Sequence, residues 1–193
     1  QTLGWAVKKG DQALLDKINA FLEKIQDNGQ YGQIYERYYG KVHIFDYVDL
    51  KKFHKRIQTR LPDYRPLIKE TAEKFGFDWR FIAAVIYQES HFNPRARSHT
   101  GVKGLMQVTL TTAKEMGISN RLDPAQSVLA GVKYLKKIAA RWDDVPEEER
   151  IYFTLASYNI GYGHVRDAQK LARDKGLDPT RWENLKKTLP LLR

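Results

Sequence analysis

Apolar positions along this chain recur mostly at intervals of three and four residues, the spacing that gives an α-helix one buried face. Leu14, Leu15, Ile18, Phe21, Leu22 and Ile25 form the first such stripe, with Asp11 placed to cap it and Asn28-Gly29 to end it. Ahead of it, Leu3 to Val7 reads as a short strand followed by a Lys-Gly-Asp turn. Gln30 to Tyr39 predicts a second short helix closed by Gly40, and Lys41 to Leu50 a short connector with alternating apolar residues. From Asp49 the helical spacing is almost unbroken. Helices are expected over 49–61 and 62–75, then in a segment capped by Asp78 whose Phe81, Ile82, Val85 and Ile86 keep one face apolar. Thr109 is placed to cap a helix ending at Gly117, and Asp123-Pro124 to open one running to Trp142. Val145-Pro146 opens another, with Glu147, Glu148 and Glu149 at its positive end, and 162–175 and 179–188 read as helices too. The expected fold class is mainly α, with a short N-terminal α/β remnant. A lone strand leaves backbone groups unpaired, so its partners are expected upstream of this chain.

The 193 residues suffice for one fair-sized domain plus an appendage. Cysteine is absent, so neither disulfides nor thiolate chemistry enter the picture. No run approaches the ~20 apolar residues needed to span a bilayer. The first residue is Gln and no basic-then-apolar signal segment occurs, so the chain reads as a mature or engineered fragment, with any export signal already removed. Net charge is +10, and it is unevenly placed: residues 1–48 carry six basic and six acidic side chains, residues 49–193 carry 27 and 17. Such a surface suits an anionic partner, whether nucleic acid, an acidic membrane face or a cell wall bearing carboxylates.

Candidate chemistry centres on Glu89, at the end of the apolar helix. Asn93-Pro94 disfavours continuation of that helix, and Gly101 and Gly104 punctuate a loop expected to fold back over the carboxylate. Burial among Ile86, Tyr87, Phe92 and Met106 would hold its proton above the ordinary glutamate value of ~4.3, as a general acid requires. The competing reading is a solvated ion pair with Arg95 or Arg97 that simply closes the helix. No Asp or Glu lies between Ser90 and Lys114, so the loop brings no second carboxylate of the kind that glycosidases usually pair.

Glu89-Ser90, Phe92, Pro94, Ala96, Ser98, Gly101 and Gly104-Leu105-Met106-Gln107 resemble the pattern E-S-x-F-x-P-x-A-x-S-x-x-G-A-x-G-L-M-Q of the family-1 lytic transglycosylases, goose-lysozyme-like enzymes that cleave peptidoglycan. The sequence departs from that pattern at Val102, where Ala is usual. A second block, usually A-Y-N-x-G, stands here as Ser157-Tyr158-Asn159-Ile160-Gly161, and the resemblance covers roughly Pro62 to Leu192. Residues 1–40 resemble the C-terminal end of a periplasmic solute-binding-type domain. Together the two halves resemble the F-type membrane-bound lytic murein transglycosylases, whose N-terminal domain is thought to sense cell-wall fragments. The resemblance implies a domain division at 1–48 and 49–193, and a lysozyme-like helical fold for the second part.

It further implies that Glu89 protonates the glycosidic oxygen and then acts as base on the muramoyl 6-hydroxyl, giving a 1,6-anhydromuramoyl end without water. Ser98 and Gln107 would bond substrate or orient Glu89, and Tyr158 and Asn159 would line the cleft. Met106, Tyr152 and Phe92 are candidate wall or stacking residues, or plain core at helical spacing. Implied partners are peptidoglycan strands and, upstream, muropeptides at a regulatory domain. The setting implied is the periplasm of a Gram-negative bacterium at its outer membrane, with the protein a monomer.

Other classes fit less well. His43, His54, His91, His99 and His164 show no metal-ligand spacing, so no metal or cofactor is implied. Ser90-His91 and Ser98-His99 point apart on a helix and no G-x-S-x-G elbow occurs, which disfavours a serine hydrolase. Lys and Arg are spread over many helices rather than gathered on one element, which disfavours nucleic acid. A hydrolytic lysozyme and a non-catalytic peptidoglycan-binding relative remain as alternatives.

Overall fold

The computed structural model describes residues 6–28, 30–31 and 47–192, with side chains from residue 49 in the last stretch. The chain divides into two compact units, Gln1–Phe53 and His54–Arg193.

In the first unit, α1 (Gln12–Asp27) forms where the apolar stripe predicts it. Asp11 caps it by accepting from the Leu14 amide at 3.1 Å. Of the stripe, Ile25 is buried while Leu14 and Phe21 are exposed. Ala6 and Val7, the described end of the expected strand, are not in a strand, and no strand occurs among the described residues. Gln30 and Tyr31 are helical, but the rest of the predicted second helix and Lys41 to Asp46 of the connector lie outside the described residues. The helix expected from Asp49 forms as α2 (Tyr47–Thr59), starting two residues earlier, so Tyr47 and Val48 of the expected connector are helical.

The second unit continues with α3 (Leu61–Phe75), α4 (Trp79–Ser90), α5 (Leu110–Met116), α6 (Pro124–Ala139), α7 (Glu147–Ile160), α8 (Tyr162–Asp174) and α9 (Trp182–Thr188), then a 3₁₀ turn at Leu189–Leu191. Helix α6 is the hub, packing against α3, α5 and α7, while α4 packs on α3 and α8 on α7 and α9. The reason is composition: Val128, Ala130, Gly131, Val132, Leu135 and Ile138 are all buried, so α6 is apolar around most of its circumference. Each large aliphatic among them contributes about 1.5–3 kcal/mol on burial. A second cluster gathers Trp142, Val145, Phe153, Val165 and Leu185, with the Trp142 indole N–H donated to Ser157 Oγ at 3.1 Å.

The predicted caps form: Asp78 accepts from Arg80 N, Thr109 from Thr112 N and Asp123 from Gln126 N. At two further helix ends the difference from the sequence expectation is three residues. Helix α6 stops at Ala139, and Trp142 N turns back to the Ala139 carbonyl at 3.1 Å, which frees the indole to enter the second cluster. Helix α9 starts at Trp182 instead of Pro179, because Asp178 accepts from Thr180 N and Oγ1 and holds that stretch in a local turn.

Candidate active site

Helix α4 is two-faced, with Ile82, Ala83, Val85 and Ile86 buried in the core. Phe81, Ala84, Val85, Gln88 and Glu89 border a cleft of about 320 Å³ whose other wall is Leu155, Tyr158 and Asn159 of α7. Phe81, Ala84/Val85 and Gln88 fall one helical turn apart, so the cleft runs along α4 and Glu89 lies toward its C-terminal end. Glu89 is half-buried, and among the described residues it is the one carboxylate lining the cleft.

No ion pair reaches Glu89 among the described residues, which include Arg95 and Arg97. Desolvation alone therefore acts on it and pushes its carboxyl above the usual carboxylate range. His91, two residues on, is held below the usual imidazole range by burial and then by Arg56 and Arg60. Burial raises the Tyr158 phenol strongly, and the neighbouring Glu89 charge adds to this.

The loop after α4 starts earlier than Asn93-Pro94 suggests. His91 and Phe92 both have positive φ, 53° and 59°, and His91 N closes the helix on the Tyr87 carbonyl. Two consecutive non-glycine residues in that region carry strain of order 1–3 kcal/mol each. They are held by the burial of Phe92, 2% exposed and packed on Tyr87, and by the Arg60 guanidinium, which donates to the His91 carbonyl at 3.0 Å. The loop then folds on itself through antiparallel bridges at Arg97–Lys103 and Lys103–Val108. Arg121 Nη1 clamps it from outside, donating to the carbonyls of Gly101 at 2.9 Å and Val108 at 3.0 Å.

The remaining sequence-predicted residues separate by place. Tyr158 and Asn159 line the cleft with Glu89. Tyr158 lines the cleft while donating its hydroxyl to the Met106 carbonyl at 2.8 Å. Gln107 has φ 46° and donates Nε2 to the Gly104 carbonyl at 2.9 Å, a contact that holds the loop. Ser98 Oγ lies 2.6 Å from Thr100 Oγ1 and accepts from Thr100 N, a local turn. Met106 is 0% exposed and Phe92 nearly so, which makes both side chains core and leaves neither a free face for a sugar. Tyr152 is 46% exposed and stacks on Trp182 at 5.8 Å; it lies one turn before Leu155 on α7 but is not among the residues that line the cleft. Phe81, Ala84, Gln88 and Leu155 are cleft residues that the motif reading passed over. Their helical spacing from Glu89 and Tyr158 was the available signal. Among the described residues, no group of three or more His, Asp or Glu side chains could hold a metal ion.

The family model described as the transglycosylase SLT domain matches residues 66–179, and that of the family 3 bacterial extracellular solute-binding proteins matches residues 4–41. Among curated proteins, the membrane-bound lytic murein transglycosylase F of Desulfosudis oleivorans is 60% identical over 194 residues, a match covering 100% of this chain and 43% of that protein. The protein of the same name from Stutzerimonas stutzeri is 49% identical, covering 99% of this chain and 40% of its own length. The chain thus spans about two fifths of these relatives. Among solved structures, an inactive mutant of the lytic transglycosylase Slt from Pseudomonas aeruginosa aligns over 82% of this chain and 23% of its own, at 24% identity and a TM-score of 0.45.

Proposed function

The chain belongs to the transglycosylase SLT family, and on that premise we propose that it is the catalytic part of a peptidoglycan lytic transglycosylase that cleaves the β-1,4 bond between MurNAc and GlcNAc. The observation that carries this reading is Glu89, whose carboxyl burial holds above the usual range and which is, among the described residues, the one carboxylate lining the cleft. In the protonated form it gives its proton to the glycosidic oxygen, and the GlcNAc fragment leaves with a free hydroxyl. The resulting carboxylate, facing an oxocarbenium-like C1, takes the proton of the muramoyl 6-hydroxyl as that oxygen bonds to C1. Glu89 ends protonated again and the sugar ends as a 1,6-anhydro ring. One residue serves as acid and then as base, so neither a second carboxylate nor a water molecule enters the balance.

Digestion of purified peptidoglycan followed by mass analysis tests this. Products are expected to be lighter by one water than those of a lysozyme. Reducing ends carrying that water would convert the reading to a hydrolase, and intact strands with bound protein would convert it to a binder.

Burial of Glu89 also sets a pH dependence of stability. Its folded pKa lies above its unfolded value, so it binds more protons folded than unfolded. The stability it allows is complete below the ordinary glutamate pKa and is lost as pH rises through the raised folded value. Glu89→Gln is therefore expected to melt above the parent at neutral pH, with the gap closing in acid below the ordinary range. Equal melting temperatures at both pH values would show that the carboxyl is not desolvated.

For the whole protein, the solute-binding fragment at the N-terminus is read as the end of a regulatory domain, with residues 1–48 belonging to it and 49–193 to the catalytic domain. A periplasmic monomer at the outer membrane of a Gram-negative bacterium, gated by muropeptides upstream, accords with the membrane-bound relatives. No helix among the described residues is long and apolar enough to cross a membrane. Running the digestion with and without added muropeptide, on the whole protein and on a chain beginning near Asp49, tests the gating. An equal response in both, or none in either, removes it.

A further inference from the structure

Three contacts converge on one buried residue of the loop. The Met106 amide donates to Ser127 Oγ of α6 at 3.2 Å. The Met106 carbonyl accepts the Tyr158 hydroxyl of α7 at 2.8 Å. Its side chain lies flat on Gly131, where an added Cβ would sit 2.4 Å from the thioether sulfur and 2.7 Å from Met106 Cβ. Ser127 and Gly131 are one turn apart on α6, so a single face of the hub helix grips the loop twice. Both Ser127 and Met106 are wholly buried, so water cannot substitute for either partner.

Tyr158 is the point where this grip reaches the cleft, since it lines the same space as Glu89. A tyrosine on an exposed helix face would be free to turn about two side-chain torsions and to direct its hydroxyl into the cleft. Here the hydroxyl is held on a carbonyl whose own position depends on Ser127 and Gly131. We propose that Ser127 is a positioning residue for the cleft: through the backbone of Met106 it fixes the Tyr158 ring as the wall against which the sugar meets Glu89. Ser127 touches neither substrate nor Glu89. The proposal rests on the transglycosylase reading for its kinetic consequence, but not for its structural one.

The test is a double-mutant cycle of Ser127→Ala, Tyr158→Phe and both together, read as kcat and KM on peptidoglycan. Misplacement of a wall on the ångström scale lowers kcat by on the order of ten- to a hundredfold. Ser127→Ala is expected to lower kcat on that scale with KM little changed. Because both side chains act through Met106, the double variant is expected to lose no more than the worse of the two single variants. Losses that multiply would mean that the two act independently and would overturn the proposal, as would a parental kcat for Ser127→Ala.

A second measurement needs neither substrate nor the Ser127 variant to fold. Amide exchange at Met106 in the parent is expected to be slow, and to speed up by about tenfold or more in Tyr158→Phe while the amides of α6 stay as they were. Unchanged exchange at Met106 would break the link between Tyr158 and Ser127 and overturn the proposal. If the parent cleaves no peptidoglycan, the transglycosylase reading fails, and the exchange measurement still decides the link.

Discussion

Glu89→Gln is expected to lose peptidoglycan cleavage by about 10²–10⁴-fold while remaining folded. The amide matches the carboxyl in size but has no proton to give and no lone pair basic enough to take one from the 6-hydroxyl. Both halves of the proposed reaction therefore fail together. The substitution should not disturb packing, because Glu89 has no ion-pair partner to strand among the described residues and its carboxyl already carries a desolvation penalty. A purified variant with the parent's helical circular dichroism and a melting temperature no lower than the parent's, releasing anhydromuropeptides near the parent rate, would remove Glu89 from the chemistry. A variant that had lost both activity and fold would speak against the stability argument made above.

Gly104→Ala is expected to destabilise the second unit by on the order of 2–5 kcal/mol, from overpacking and left-handed strain combined. At φ 83° a side chain is already unfavourable, and a Cβ there would lie 1.9 Å from the Arg121 carbonyl oxygen and 2.7 Å from Ser127 Oγ. The first neighbour is backbone, which cannot rotate away. Gly101→Ala is the matched comparison: its φ is 84°, yet nothing lies within 4 Å of its Cβ. It should show only the dihedral cost, about 1–2 kcal/mol. Thermal melts separate the two, with a fall on the order of 10 °C expected for Gly104→Ala and a clearly smaller one for Gly101→Ala. Equal falls would mean that the loop moves away from α6 at little cost, and the close approach at Gly104 would lose its significance.

These two positions describe one design. Positive φ at His91, Phe92 and Gln107 places strained backbone at both ends of the loop that follows Glu89. Strain of this kind persists only where the surroundings over-determine it. Here Arg60, Arg121, Ser127 and Tyr158 hold the loop by hydrogen bonds from four different places in the sequence. The loop is therefore held by contacts from elsewhere in the fold and not by its own sequence alone.

The sequence by itself determined the features that depend on neighbours along the chain. The helical spacing of apolar residues, the caps at Asp11, Asp78, Thr109 and Asp123, and the placement of Glu89 near the end of an apolar helix all follow from interactions within a few residues. The two motif blocks were enough to predict the family. Local signals misjudged some helix ends, as at His91, where the chain turned two residues before Asn93-Pro94 because burying Phe92 outweighed the strain of positive φ.

The tertiary structure alone decided which motif residues face the cleft and which face the core. Met106 and Phe92 stand beside functional neighbours in the motif, yet both are buried, because α6 offers Gly131 as a seat for one and Tyr87 packs against the other. It decided that Arg95 and Arg97 do not neutralise Glu89, and that Leu155, Tyr158 and Asn159 complete the cleft from more than sixty residues away. It also brought Ser127 into the account, a serine whose sequence surroundings carry no sign of function. The physical reason is the same in each case: whether a side chain is solvated, paired or buried depends on what packs against it, and packing partners distant in sequence leave no trace in the local period of the chain.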